Sequence, residues 1–141
     1  MDRDKALREH LLYLLRGGGA HIDFESVVAD FPIALINERV EHIPYTALQL
    51  LEHMRIAQWD ILEFSRNADH VSPLWPEGYW PAAETMANAD DWSESLEAFR
   101  ADLKAMENLI EDSATDLLTP ISHGEGQTVF REALLVADHN A

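Results

Sequence analysis

The sequence predicts an all-α protein, a four-helix bundle with an ordered aromatic- and proline-rich loop between its second and third long helices. Three observations carry this. Four stretches repeat their apolar residues every three to four positions, the period at which side chains share one helix face. No stretch alternates with period two, so no half-buried strand is expected. The breaks between the stretches hold Gly and Pro, which end helices. Four such stripes bury one another best when the helices pack side by side.

The first helix is expected over about residues 2–16. Leu7, Leu11 and Leu14 fall four and three apart, and Leu12 and Leu15 widen the stripe. Gly17-Gly18-Gly19 ends it, because glycine supplies the left-handed backbone a helix end needs. The next segment is irregular. Asp23 reads as the cap of a short helix through Val28, which Asp30-Phe31-Pro32 breaks. A second long helix is expected over residues 44–66, with Pro44 in its first turn. Its predicted buried seam is Leu50, Met54, Ala57, Ile61 and Phe64, spaced 4, 3, 4, 3.

Residues 67–89 hold Pro73, Pro76, Gly78 and Pro81, with Trp75, Tyr79 and Trp80 between them. A helix cannot run through such a segment, and the aromatic rings predict an ordered loop that packs on the bundle or lines a pocket. The third long helix is expected over residues 91–112 with Asp90 as its cap. Its seam is Trp92, Leu96, Phe99, Leu103, Met106 and Ile110. Thr119-Pro120, Gly124 and Gly126 make the next connection. The last helix starts near Gln127 with an inner stripe of Phe130, Ala133, Leu134 and Ala137, and its pattern is still helical at Ala141.

A chain of 141 residues suffices for one domain with a real core, so residues 1–141 are read as a single domain. No apolar run approaches the roughly 18 residues that would cross a bilayer. The charged start, Met1 to Lys5, lacks a secretory pattern, so no membrane association and a cytoplasmic location are expected. There is no cysteine, which excludes thiolate catalysis, disulfides and Cys-ligated zinc. Any metal must be held by His, carboxylates or water. The formal charge is −16, with only ten Lys and Arg and no cluster of them. Such a surface repels phosphates, so no nucleic acid is expected as a partner.

Of seven histidines, His10, His53 and His139 fall inside predicted helices. His53 shares a face with Gln49, Leu50, Ala57 and Asp60. His139 shares one with Glu132, Leu135 and Val136. Both flank a buried stripe, so two helices can bring them together at an interface. Neutral imidazoles there suit zinc, nickel or iron. A lone helical histidine beside a core stripe is more often structural, and spacing alone does not make these two meet. Nucleophile-elbow, phosphate-loop and dinucleotide fingerprints are missing, as are the paired Glu-x-x-His motifs of di-iron bundles.

Four segments together resemble one known family: LLRGGGAHIDFESVVADFP near the start, LLEHMRIAQWDILEF at residues 50–64, VSPLWPEGYWP at residues 71–81, and HGEGQTVFREALLVADHNA at residues 123–141. They resemble the DinB-like four-helix-bundle proteins over essentially the whole chain. The resemblance implies a divalent metal ion (nickel, zinc or iron) on a histidine triad. His53 matches the ligand of the second long helix, and His139 matches the first of an H-x-x-x-H pair on the last helix. The second member of that pair would fall four positions after His139, beyond Ala141, so the third His ligand is absent and the last helix is read as incomplete. The resemblance also implies a metal-dependent enzyme, a hydrolase or thiol-dependent transferase acting on a small molecule, and a homodimer. Its pocket would lie between the second and last long helices, walled by Trp75, Tyr79 and Trp80. The alternatives are a non-catalytic bundle that works through dimerisation, and an inactive remnant.

Overall fold

The computed structural model describes residues 2–141, which form five α-helices and no β-strand. The protein is all-helical, as the apolar periodicity predicts. None of its helices is long and apolar enough to cross a membrane.

Helix α1 (Arg3–Leu15) is capped by Asp2, whose carboxylate accepts the Lys5 amide. It stops at Gly17, where φ is +84°, and the Gly17 and Gly18 amides return to the Leu14 and Tyr13 carbonyls. A Cβ on Gly17 would lie 2.6 Å from Cβ of Asp23, so the turn also needs glycine for space. Asp23 caps α2 (Phe24–Val28) through the Ser26 amide, as the sequence predicts.

Helix α3 (Ala47–Arg66) begins three residues later than the periodicity suggests. Thr46 and Gln49 form a reciprocal capping box, which fixes the start and leaves Pro44 outside the helix. The same device starts α4 (Ala89–Glu111). Asn88 and Asp91 satisfy each other's amides, so the cap is Asn88 and not Asp90. Helix α5 (Val129–His139) is capped by Thr128 and ends at His139, with Asn140 as its C-terminal cap, so helical geometry does not continue to Ala141.

Helix α3 packs against α4 and α5, and α1 also packs against α4 and α5. The α4 seam follows the sequence: Trp92, Leu96, Phe99, Met106 and Ile110 are buried, and Leu103 is half-buried against the core. The α3 seam is not. Leu50 is 40% exposed, and the buried face runs through Leu48, Leu51, Gln58, Leu62 and Ser65. That face includes polar residues, which an apolar count passes over. Gln58 is buried because both ends of its amide are used: Nε2 donates to the Phe99 carbonyl at 2.8 Å, and Oε1 accepts from Asn140 Nδ2 at 2.9 Å. One side chain thereby ties α3 to α4 and to the cap of α5. Leu14 and Leu134, also predicted as inner, are partly exposed and line a cavity.

Candidate metal centre

Helix α5 runs antiparallel to α3. His123, before α5, donates from Nε2 to the Phe64 carbonyl near the end of α3, and His139, at the end of α5, meets His53 in the second turn of α3. The two histidines singled out by the sequence are therefore in contact. Their Nε2 atoms are 3.2 Å apart and the ring centroids 5.0 Å apart, with the planes inclined at 60°.

His53 is held from two sides. Its Nδ1–H donates to the Tyr79 carbonyl at 2.8 Å, which places the free lone pair on Nε2, facing His139. Its ring lies flat on Trp80, with centroids 3.9 Å apart and an interplanar angle of 7°, and Trp80 in turn stacks with Tyr45 at 4.2 Å. Of the three aromatics expected around this region, Tyr79 and Trp80 touch His53. Trp75 does not wall the site: it is 75% exposed and meets only the edge of Tyr79. A ring in a proline-rich loop is not thereby turned inward, and the path here brings Tyr79 and Trp80 back onto α3 while Trp75 faces out.

His139 is part-buried, and its Nδ1 is a buried atom with no hydrogen-bond partner. Burial lowers its affinity for a proton below that of an ordinary histidine, and the neighbouring His53 acts in the same direction. The pair thus sets the Nε2 atoms of His53 and His139 directly against each other, with Nδ1 of His139 left over.

The loop that carries the Tyr79 carbonyl is anchored by Asp60, which sequence reasoning placed on the His53 face but gave no role. Asp60 is buried, accepts the Tyr79 hydroxyl at 2.7 Å on Oδ2, and accepts His70 Nε2–H at 2.7 Å on Oδ1. Burial first, and then the hydrogen bond and charge of Asp60, together raise the Tyr79 phenol to about 12. The signal for this anchor was present: Asp60 lies two helical turns after His53 on the same face, ahead of a loop rich in polar and aromatic tips.

Two nitrogens each about 2.0–2.1 Å from one ion, at a near-tetrahedral angle, lie about 3.3 Å apart. The observed 3.2 Å matches the spacing of two ligands on such an ion, and it is also the length of a direct hydrogen bond between the two rings. The Tyr79 carbonyl is the kind of support that fixes a ligating imidazole by its second nitrogen. A third protein ligand is not in place. Among the described residues, no three His, Asp or Glu side chains are grouped to hold one ion. His123 is spent on the Phe64 carbonyl at the far end of α3. Glu132 lies seven residues before His139, about 10 Å down the helix. It is buried, and burial raises its carboxyl above the usual range, with Asp60 adding to the shift and Arg131 opposing it.

No family model, no curated protein and no solved structure matches the chain.

Proposed function

We propose that the chain is a four-helix bundle of the DinB-like kind whose His53 and His139 bind a divalent metal ion, nickel, zinc or iron, for a metal-dependent hydrolytic or thiol-transfer reaction on a small molecule. The observation that carries the reading is the pair of Nε2 atoms 3.2 Å apart, with His53 oriented by the Tyr79 carbonyl. The ring of contacts from α1 to α4, α3 and α5 supports the bundle reading. When bound, such an ion lowers the pKa of a coordinated water or thiol and so supplies a nucleophile near neutral pH. The chain's own residues bind and orient. His53 and His139 present their Nε2 atoms, Trp80 covers one face of His53, and Asp60 keeps the supporting loop in place through Tyr79 and His70.

The test is a titration with zinc, nickel and cobalt ions beside His53→Ala and His139→Ala. The expected result is uptake of one ion per chain, weakened roughly 10- to 100-fold or more in each variant, with helical circular dichroism unchanged. Equal uptake by all three proteins would refute the site.

A second reading, a non-catalytic bundle that acts as a homodimer, is favoured by one feature. Val71, Leu74 and Trp75 are 83%, 83% and 75% exposed on the loop that Asp60 anchors. Sedimentation of Leu74→Asp beside the unaltered chain checks it: a dimer that the substitution dissolves supports association, and a monomer in both excludes it.

A further inference from the structure

Residues 70–79 form a closed loop, because both ends are tied to one carboxylate: His70 to Oδ1 and Tyr79 to Oδ2 of the buried Asp60. Within it, the Gly78 amide donates to the Leu74 carbonyl at 2.7 Å and makes a tight turn at the tip. Pro73 and Pro76 flank Leu74 and Trp75 and restrict the backbone on either side. The turn is packed, since a Cβ on Gly78 would lie 2.7 Å from Cβ of Pro73. Yet Val71, Leu74 and Trp75, all on this loop, are the most exposed large apolar side chains among the described residues. An ordered turn that holds apolar side chains out in water marks a contact surface.

The charges that accompany them have one sign. Between Asn67 and Asn88 the acidic residues are Asp69, Glu77 and Glu84, and there is no Lys or Arg. These carboxylates are exposed, and none takes part in an ion pair among the described residues. The neighbouring basic side chains are spent elsewhere, Arg66 on Glu63 and His70 on Asp60. Asp69 precedes the closed loop by one residue and Glu77 lies within it, so both stand close to Leu74 and Trp75 along a short, pinned path.

An apolar surface with unpaired carboxylates beside it suits a partner that carries apolar side chains among Lys or Arg. A second copy suits it less, because two chains of charge −16 repel each other. The exposed indole of Trp75 adds a face that attracts a guanidinium or an ammonium. We propose that the 70–79 loop is a docking surface for a basic amphipathic segment of another protein, its apolar face on Leu74 and Trp75 and its Lys or Arg side chains against Asp69 and Glu77. The braced turn keeps the entropic cost of docking low, since the loop is already ordered.

The test uses three synthetic helical peptides of one length. The first has leucine on one face and lysine on the other, the second has glutamate in place of lysine, and the third has alanine in place of leucine. Binding to the full 15N-labelled chain is followed by calorimetry and by amide and indole N–H shifts. The leucine–lysine peptide should bind with a micromolar Kd, at least about tenfold tighter than either of the others. Shifts should gather at Val71, Ser72, Leu74 and the Trp75 indole. Leu74→Ser combined with Trp75→Ser should weaken binding about 10- to 100-fold. Both side chains are exposed, so helical circular dichroism should stay the same. Asp69→Asn combined with Glu77→Gln should weaken binding about threefold or more and flatten its salt dependence. The proposal is overturned if the alanine–lysine peptide binds as tightly as the leucine–lysine one, which leaves charge alone. It is equally overturned if the serine substitutions leave affinity intact, or if the shifts fall elsewhere. Sedimentation that finds a dimer which Leu74→Asp dissolves would assign the loop to a second copy instead. Tighter binding to phosphatidylcholine vesicles than to the peptide would assign it to a lipid surface.

Discussion

Replacing Asp60 by alanine removes the acceptor of two hydrogen bonds at once, those from Tyr79 and His70, each 2.7 Å long. A hydrogen bond to a charged group contributes about 1.5–3 kcal/mol. The two share one carboxylate and are not additive, and the substitution also relieves the cost of keeping that carboxylate buried. The expected net loss is about 3 kcal/mol. With a urea dependence of about 2 kcal/mol per molar, ordinary for a domain of this size, the unfolding midpoint should fall by about 1.5 M with an unchanged slope. Tyr79→Phe alone should cost about 1 kcal/mol, and adding it to Asp60→Ala should cost little more, since its partner is already gone. The assay is urea unfolding followed by helical circular dichroism on the four proteins of the cycle. A midpoint for Asp60→Ala within about 0.3 M of the unaltered chain, or costs that simply add, would refute the anchoring role.

Further outcomes can be checked on the same preparations. The Tyr79 phenol, raised to about 12, should be the last tyrosine to ionise in an ultraviolet titration, and Asp60→Asn should lower it in part, leaving the share that burial contributes. Because its folded value lies above its unfolded one, the stability tied to this phenol is complete below about pH 10 and is lost as pH rises toward 12. Glu132 is likewise raised, so its neutral form suits the fold and ionisation works against it. Glu132→Gln should therefore stabilise the protein by about 1 kcal/mol at pH 7 in urea unfolding, an advantage that vanishes toward pH 4. Gly17→Ala should destabilise by about 2 kcal/mol, through both its positive φ and the collision with Asp23, as read from the thermal midpoint.

The helix order, the α4 seam, the Asp23 cap and the placement of the aromatic loop were legible because each rests on short-range chemistry: a period, a capping side chain, a run of prolines. The buried face of α3 was not, because Gln58 is buried by partners far away in sequence, the Phe99 carbonyl and Asn140. The helix starts at Thr46 and Asn88 were displaced by reciprocal caps, in which the residue three places on decides the boundary. At the site, the flanking positions of His53 and His139 were readable from periodicity, but their contact depends on how α5 lies along α3. The Tyr79 carbonyl could not be foreseen at all, since every residue has one.

That last property has a consequence for how such a site is inherited. The acceptor that orients His53 belongs to the main chain, so no side-chain replacement at position 79 deletes it. Mutational loss of the imidazole's orientation instead enters through the residues that set the path of the loop, Asp60 and His70, neither of which hydrogen-bonds to His53. Among descendants of this chain, positions 60, 70 and 79 should therefore change as a group, and a histidine retained at position 53 after that group has dissolved would mark a ring that has lost its bearing.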